Sequence, residues 1–436
     1  MIAPLDAGLE VCGRRLSRAG PLALAFSGGG DSLALLLVAR VWARETGRTL
    51  LAIHVDHGLQ AQSGAWAARA RAMADRLGVP FLGLAWTGDK PAAGLPAAAR
   101  AARHGLIADA ARAAGARVIL LGHTLDDQLE NAVMRGAGAP VGALVDWSAS
   151  PVWPQGRGLF HCRPLLAVRR AALRDWLRIE GLDWIDDPAN ADPLYARVRA
   201  RRALADGAQT EALPPAADVA ALAAQCQVTP WGAIEIDRPR LRAAQDRQAL
   251  RLLQIAVACA SGAETLARPA RARVLLERLR GPDPFTAVLG GARVLATDTV
   301  RLTREAGEAA RGGLAPVDRG VWDGRWELRG PGRVQVLAGL AARLDPVDAA
   351  RLRAIAASDR PSLPVLRGSQ GEVRLARLAT AGHDDHIDEA MGQLSLLVEH
   401  RFKAACGLIR REDEIGAIVH MANVHPPSYV GAEGKG

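Results

Sequence analysis

Cysteine is scarce in this chain of 436 residues, which contains only five. They lie far apart, and no two of them form a C-x-x-C pair: Cys12, Cys162, Cys226, Cys259 and Cys406. This spacing argues against a disulfide framework, a zinc knuckle or a cysteine-held iron–sulfur centre. We therefore expect inert, buried thiols.

Long apolar runs are also missing from the sequence. No stretch of about 18 uninterrupted apolar residues occurs, so we expect no membrane span. Residues 1–15 are too polar for a secretory signal, and a cytoplasmic protein is the expectation that follows. The length is sufficient for two or three domains with a sizeable core.

Lysine is nearly absent, although the chain is basic with a formal net charge of +9. It occurs only at Lys90, Lys403 and Lys435, so arginine carries nearly all of the positive charge. The guanidinium group binds two phosphate oxygens at once, which favours a polyanionic partner such as nucleic acid. The alternative is a compositional bias, because alanine and arginine are abundant throughout.

A glycine-rich turn between a predicted strand and a predicted helix is the central feature of the sequence. The apolar segment 22–26 is followed by Ser-Gly-Gly-Gly-Asp-Ser and then by good helix formers. This layout places unpaired backbone N–H groups at a helix N-terminus, where a phosphate is stabilised. Neither the lysine of the ATPase P-loop nor the G-x-G-x-x-G spacing is present. The alternative is an ordinary turn with an Asp or Ser helix cap.

The same turn resembles the SGGxDS loop of the PP-loop ATP pyrophosphatases, which cleave ATP between its α- and β-phosphates. The resemblance implies that the loop binds ATP and that its acid helps to bind Mg²⁺. An acid in place of a lysine is consistent with this metal, because Mg²⁺ prefers hard oxygen ligands and offsets phosphate charge. The predicted ATP-binding loop consists of Ser27, Gly28, Gly29, Gly30, Asp31 and Ser32.

Apolar segments alternate with helical patterns along the first part of the chain. Strands are predicted over 22–26, 50–55, 80–86 and 116–121, with helices over about 31–46, 64–77 and 95–114. The alternation predicts an α/β fold with a doubly wound parallel sheet, whose ligands gather at the C-terminal ends of the strands. His54 and His57 end the second strand and either line the ATP site or serve in packing.

The segment GHTLDDQLEN, residues 122–131, follows the fourth predicted strand and contains a second group of candidate residues. If a helix begins near Leu125, then Asp127, Glu130 and Asn131 lie on one face of it. Carboxylates at a strand end can bind Mg²⁺, or hold and deprotonate a cationic amine. The alternative is a helix N-terminus whose acids only complement the helix dipole.

Several motifs in one order make the resemblance more specific. SGGGDS, HVDHGL, GHTLDDQLEN and RGAG occur in turn, followed by RPLL with Arg169 and Arg170, by WIDDPANAD and by YARVRAR. Over about residues 20–205 the chain resembles the tRNA(Ile)-lysidine synthetases. These enzymes use ATP to adenylate the C2 oxygen of the wobble cytidine in the CAU anticodon of tRNA(Ile), which releases pyrophosphate. The ε-amine of free L-lysine then attacks C2 and releases AMP, which changes codon specificity from AUG to AUA.

The resemblance implies particular site residues. Asp31, Asp127 and Glu130 are the implied catalytic acids, with Asp31 and Asp127 also as Mg²⁺ ligands; the division of roles between Asp127 and Glu130 stays open. The implied substrate and tRNA contacts are Arg100, Arg103, Arg197, Arg199 and Arg201. Two positions depart from the family pattern: Val198 stands where asparagine is usual, and Gln60 replaces a common arginine.

Beyond residue 205 the sequence is less informative. We predict a catalytic domain over 1–205, a mainly helical tRNA-binding domain over 206–310 and a mixed region over 311–436, with 380–436 unassigned. Helices are expected over 216–226 and 239–280. A hairpin is expected from 286–289 and 294–302, which 322–328 and 334–337 continue. A homodimer is left open.

Other functions of the same superfamily remain as alternatives. A tRNA thiolase usually needs paired cysteines, and ammonia-using guanylate or NAD synthesis usually brings a glutaminase domain; neither feature is visible here. A non-catalytic RNA-binding protein with a degenerate nucleotide pocket is the third alternative. The intact acids at 31, 127 and 130 count against it.

Overall fold

The computed structural model describes residues 4–60, 62–88, 90–186, 192, 194–307, 315–368, 371–375 and 392–416. The chain divides into two compact units, Met1–Ala216 with Ile409–Gly436, and Ala217–Leu408. None of the helices in the described ranges is long and apolar enough to cross a membrane. The domain boundaries at 205 and 310 stay predictions.

The first unit is an α/β structure. Its elements in chain order are α1 (Pro4–Arg15), β1 (Leu22–Ala25), α2 (Gly30–Thr46), β2 (Leu50–Asp56), α3 (Ser63–Arg76), β3 (Phe81–Ala85), α4 (Leu95–Ala113), β4 (Val118–Leu120), α5 (Leu125–Gly136), β5 (Trp147–Ala149), β6 (Phe160–Cys162), α6 (Arg170–Ile179) and α7 (Ala196–Ala205). The strand order is β3-β2-β1-β4-β6-β5, parallel except for β5 at the edge. The predicted α/β class is confirmed, whereas the three-residue strands β5 and β6 were too short to give a pattern.

The two candidate loops lie side by side because of this strand order. The chain moves outward from β1 to β3 and then returns to the other side of β1 as β4, so the loops after β1 and β4 meet at the switch point. Gly122 begins the second loop, and a Cβ added there would lie 3.0 Å from the carbonyl oxygen of Asp31. A glycine at 122 therefore permits the close approach of the two loops.

The C-terminal segment that begins at Ile409 belongs to the first unit. Both oxygens of Glu412 accept hydrogen bonds of 2.8 Å from the guanidinium of Arg48, and the two side chains are buried. Trp147 donates its indole N–H to the carbonyl of Ile409 at 3.0 Å. The sequence left this segment unassigned; residues 380–391 and 417–436 of it lie outside the described ranges.

The second unit contains helices and three sheets. Its elements are α8 (Ala220–Ala223), β7 (Gln227–Val228), β8 (Ile234–Asp237), α9 (Arg238–Ala243), α10 (Asp246–Ser261), α11 (Pro269–Arg280), β9 (Phe285–Leu289), β10 (Ala292–Ala296), β11 (Thr299–Arg304), β12 (Gly320–Trp322), β13 (Trp326–Arg329), β14 (Arg333–Val336), α12 (Pro346–Ala354), β15 (Pro364–Arg367), β16 (Val373–Leu375), β17 (Gln393–Leu396) and α13 (Val398–Ala405). The sheets have the orders β7-β8-β11-β10-β9, β12-β13-β17 and β14-β15-β16.

Several local expectations for this unit were wrong. The helix expected over 239–280 is three helices, because Gly262 ends α10 in a left-handed conformation and Pro269 begins α11. Only four residues of 216–226 form a helix. The runs 294–302 and 322–328 each contain a turn between two strands. Strands β12 to β14 do not continue the hairpin but join separate sheets, because the pairing partners lie far away in the sequence.

Candidate active site

The loop between β1 and α2 has the backbone of an anion site. Gly28 has φ +81°, and a Cβ added there would lie 2.5 Å from Cδ1 of Ile185, so only glycine fits. Helix α2 begins at Gly30, and the N–H groups of its first turn lack partners within the helix. The hydroxyls of Ser27 and Ser32 lie 3.1 Å apart beside them. This arrangement suits a phosphate.

The Trp184–Ile185 segment packs against this loop. Ile185 donates its backbone N–H to the carbonyl of Gly28 at 2.9 Å. The ring of Trp184 lies against the helix start, where a Cβ on Gly30 would be 3.5 Å away. These contacts give the first part of the WIDDPANAD motif a structural role, while residues 187–191 lie outside the described ranges.

The two carboxylate oxygens of Asp127 have different partners and different roles. Oδ2 accepts hydrogen bonds from the N–H and the hydroxyl of Thr124, at 2.8 and 2.9 Å, and so caps α5. Oδ1 lies 3.4 Å from Nη1 of Arg197. Burial opposes ionisation of Asp127, but the interactions with His123 and Arg170, the N–H of Thr124 and the charge of Arg197 together outweigh it and lower its pKa. The capping alternative is thus correct for one oxygen, and the other remains for chemistry.

Arg170, the first residue of α6, joins the two candidate loops. Its Nε lies 2.9 Å from Oδ2 of Asp31, its Nη1 2.9 Å from Oε1 of Glu130 and its Nη2 3.4 Å from Oδ2 of Asp127. Burial raises the pKa of Asp31, and Arg170 opposes that effect. In the sequence, Arg170 stands out only as part of a motif. Its partners could not be predicted from the sequence, because helical periodicity does not show which distant residues the first side chain of a helix contacts.

The arginines of α7 separate into two groups. Arg197 donates to Oδ1 of Asn131 at 3.1 Å, and Nε of Arg201 donates to Oε1 of Glu130 at 3.0 Å. Arg199 is exposed and points elsewhere, because residues two positions apart do not share a helix face. The structure therefore brings two of the three predicted arginines to the acids.

These elements enclose a cavity of about 600 Å³. The predicted site residues that line it are Ser27, Gly29, Gly30, Asp31, Ser32, His54, His57, Arg103, Asp127, Arg197 and Arg201. The predicted residues Gly28, Arg100, Glu130 and Arg199 are not part of its lining. Lining residues with no assigned role in the sequence analysis include Trp66, His104, His123, Arg170 and Arg174.

The histidines of the cavity are neutral at pH 7. Nδ1 of His54 donates to the carbonyl of Phe26 at 2.9 Å, and burial lowers the pKa of its ring. Burial and the charge of Arg103 lower the pKa of His57. The ring of His123 accepts a hydrogen bond from Arg163 at 3.2 Å, and burial lowers its pKa to about 3. Their neutral planar rings suit an uncharged base better than a phosphate.

Arg103 differs from the other cavity arginines because it forms no ion pair with any carboxylate of the described residues. Burial and the charges of Arg100 and Arg197 lower its pKa to about 10, so it stays protonated at pH 7. A half-buried guanidinium group without a carboxylate partner can donate its hydrogen bonds to an anionic ligand.

The acids fit a metal that is shared with a ligand rather than a closed protein cage. Within the described ranges no three His, Cys, Asp or Glu side chains are arranged to hold a metal ion by themselves. Mg²⁺ usually takes one or two carboxylates together with substrate phosphates. Asp31 and Asp127 provide carboxylate oxygens at the cavity wall beside the glycine loop, which fits that mode.

The first unit matches a family model described as a PP-loop domain over residues 10–208. The chain is 48% identical over 424 residues to the tRNA(Ile)-lysidine synthase of Caulobacter vibrioides, covering 94% of this chain and 99% of that protein. It is 36% identical over 402 residues to the tRNA(Ile)-lysidine synthase of Mesorhizobium japonicum, covering 80% and 84%. Among solved structures, the U34-tRNA thiolase NcsA of Methanococcus maripaludis with its [4Fe-4S] cluster matches 46% of this chain and 72% of that chain, with a TM-score of 0.38 and 16% identity.

Proposed function

The chain belongs to the tRNA(Ile)-lysidine synthase family, and on that premise we propose how its residues divide the reaction. The protein is an ATP-using ligase that modifies tRNA. In the reaction that we assign to it, ATP adenylates the C2 oxygen of the wobble cytidine in the CAU anticodon of tRNA(Ile). The ε-amine of free L-lysine then replaces that oxygen. The covalent adenylate divides one difficult substitution into two easier ones.

The glycine loop acts in the first step. The N–H groups of the first turn of α2 and the hydroxyls of Ser27 and Ser32 hold the phosphates of ATP. Asp31 and Asp127 would hold Mg²⁺ together with phosphate oxygens. When bound, Mg²⁺ neutralises the charge that develops on the pyrophosphate. His54 and His57, neutral and close to the loop, contact the adenosine part.

The acids of α5 act in the second step. Asp127 and Glu130 hold the ε-ammonium group of lysine and take up its proton, because only the free amine can attack C2. The lowered pKa of Asp127 keeps it ionised at neutral pH. Oε2 of Glu130 is buried and accepts no hydrogen bond, so it is available to a cationic donor.

The arginines contact the RNA and balance the acids. Arg103 holds the phosphate that links the cytidine to adenosine in the adenylate, because it is the cavity arginine without a carboxylate partner in the described part of the chain. Arg100 and Arg199 are exposed and contact the RNA backbone. Such contacts position the tRNA without reading its sequence. Arg197 and Arg201 contact the substrate at the acid side of the cavity.

One observation carries this proposal. A single guanidinium, that of Arg170, lies within 3.4 Å of the glycine-loop acid and of both acids of α5. The phosphate-binding loop and the amine-binding pair of acids are therefore joined at one place, where Asp31 and Asp127 line the cavity, as adenylation followed by amine attack requires. All five cysteines lie outside the lining of that cavity, which counts against sulfur transfer.

The test is nucleoside mass spectrometry after incubation with tRNA(Ile) transcript, ATP and isotope-labelled lysine. We expect lysidine from the unchanged chain, and a loss of about 10²–10⁴-fold in Asp127→Asn, since a positioned general base contributes that much. Asp109→Asn is the control, because Asp109 is exposed, pairs with Arg112 and lies outside the lining of the cavity. Sulfur-dependent turnover, or full lysidine formation by Asp127→Asn, contradicts the proposal.

A further inference from the structure

Arg170 occupies the position between three carboxylates that belong to two different helices. Asp31 lies in the first turn of α2, and Asp127 and Glu130 lie on α5. Each of the three nitrogens of the guanidinium group is directed to a different acid, at 2.9, 3.4 and 2.9 Å respectively. The Arg170 side chain is only 15% exposed, so these contacts are poorly screened by solvent.

Within the described residues Arg170 is the one cation paired with all three acids. Arg197 approaches Asp127 and Glu130 but not Asp31, and Arg201 approaches Glu130 alone. The positive charge of Arg170 therefore offsets the mutual repulsion of the three carboxylates. A divalent cation held between Asp31 and Asp127 would lie next to the positive charge of Arg170, whose nitrogens contact Oδ2 of both acids.

The cluster of three acids also includes a carboxylate oxygen that accepts no hydrogen bond. Oε2 of Glu130 is buried without a hydrogen bond, and its nearest paired cation is Nε of Arg197 at 3.6 Å. A carboxylate buried to this extent normally has its oxygens satisfied. The unsatisfied oxygen indicates that the cluster is arranged for one further cation, at a place where Arg170 already provides one positive charge.

We propose that Arg170 is an internal counter-ion that makes divalent-cation binding by these acids conditional on nucleotide. Without nucleotide, the guanidinium next to the carboxylates repels a metal ion. Nucleotide phosphates in the glycine loop give the guanidinium another partner, and Asp31 and Asp127, with that positive charge drawn away from them, then accept the metal. Arg170 thus acts through the acids as a positioning residue. The proposal rests on the nucleotide role of the loop given under the proposed function.

The experiment measures Mn²⁺ binding to the full-length chain by the loss of the free-ion EPR signal, without nucleotide and without tRNA. We expect weak Mn²⁺ binding to the unchanged chain. In Arg170→Met we expect a single site that binds Mn²⁺ at least about tenfold more tightly, because the variant lacks the positive charge next to the acids. Arg169→Met is the matched control, since Arg169 precedes Arg170 and pairs with Asp126 only. It should bind Mn²⁺ as the unchanged chain does.

A second arm adds α,β-methylene-ATP, which binds without being cleaved. Nucleotide should strengthen Mn²⁺ binding in the unchanged chain by a much larger factor than in Arg170→Met. Equal nucleotide-free affinities in Arg170→Met and the unchanged chain overturn the proposal. If circular dichroism shows that Arg170→Met is unfolded, Arg170→Gln decides, because its amide can still donate a hydrogen bond to an acid but carries no positive charge: tighter nucleotide-free binding supports the proposal and unchanged binding overturns it.

Failure of the proposed function would give a different result. Calorimetric titration of the unchanged chain with α,β-methylene-ATP reports directly on the nucleotide role of the glycine loop. Absence of nucleotide binding would contradict the proposed function. The comparison of nucleotide-free Mn²⁺ affinities would still show whether Arg170 excludes the metal from the acids.

Discussion

The two units of this chain both bury arginine, but the acceptors of the buried guanidinium groups differ. In the first unit Arg170 lies between three carboxylates beside a cavity. In the second unit Arg238 is 2% exposed and donates to four backbone carbonyls, those of Leu279, Gly281, Asp283 and Thr297.

The difference in acceptors separates function from stability. Carbonyl groups at the ends of α11 and β10 have no partner within their own element, and Arg238 satisfies them and holds the turns together. A cationic ligand can compete with Arg170 for the negatively charged carboxylates. The contacts of Arg170 can therefore be exchanged for contacts with a ligand. Arg48, paired with Glu412 in the first unit, has a carboxylate partner, but neither residue belongs to the lining of the cavity described above. We therefore expect it to act in stability, as Arg238 does.

Substitution of Gly28 is expected to have the largest effect. It tests whether the strained backbone of the first unit lies in the loop that binds the ligand. Gly28→Ala places a Cβ 2.5 Å from Ile185 in a backbone with φ +81°. The left-handed conformation alone costs a non-glycine residue about 1–2 kcal/mol. We expect calorimetry to show at least a tenfold weaker ATP affinity, because the loop must shift to relieve the contact.

Gly47→Ala is the matched control for that substitution. Gly47 ends the same helix, has φ +69°, and its Cβ would meet no atom within 4 Å. The variant should lose a similar amount of backbone free energy without any loss of ATP affinity. Equal ATP affinities in Gly28→Ala and Gly47→Ala would show that the contact with Ile185 does not shape the loop.

Arg238→Met tests the other side of the comparison. The variant loses four hydrogen bonds to backbone carbonyls, although those of Leu279 and Gly281 keep Arg242 as a donor, and a hydrogen bond contributes about 0.5–1.5 kcal/mol. We expect the unfolding free energy of the second unit to fall by about 2–4 kcal/mol, the range for a few such bonds. Urea titration followed by circular dichroism measures it.

The ATP affinity of Arg238→Met should remain that of the unchanged chain, since Arg238 belongs to the other unit. Arg271→Met, an exposed position on α11, is the control and should alter neither quantity. A stable Arg238→Met with weakened ATP binding would remove the distinction between the two kinds of buried arginine.

Asp146 gives the smallest expected effect and a pH signature. Burial opposes its ionisation, but the hydrogen bonds and charges of Arg15 and Arg14 outweigh burial and lower its pKa. Its stabilising contribution is therefore complete above its unfolded pKa of about 3.9, and it is lost as the pH falls through the lower folded value.

Asp146→Asn should be less stable than the unchanged chain by about 1 kcal/mol or less at pH 7, the usual size for a partly exposed pair. The difference in urea midpoint should narrow below about pH 4, where the unchanged chain also loses the charge. A difference that stays constant between pH 7 and pH 3 would show that the carboxylate charge at 146 does not contribute.

The elements of the first unit are far more predictable from the sequence than those of the second. Strands β1 to β4 lie where apolar segments of strand length predicted them, because a parallel strand covered on both faces reads as an unbroken apolar run. The antiparallel sheets of the second unit pair distant segments, such as β13 with β17. Local propensity does not reveal such partners, so strands there were joined wrongly or missed.

Sequence alone determined the glycine loop, the acids after the fourth strand and the family to which the chain belongs. These features are local, since spacing and residue type within about ten positions define each motif. Only the tertiary structure decided that Arg170 would join the acids and that Arg199 would point away from them. A charged side chain finds its partner through the packing of whole helices, and the distance of 139 positions between Asp31 and Arg170 has no signature in the sequence.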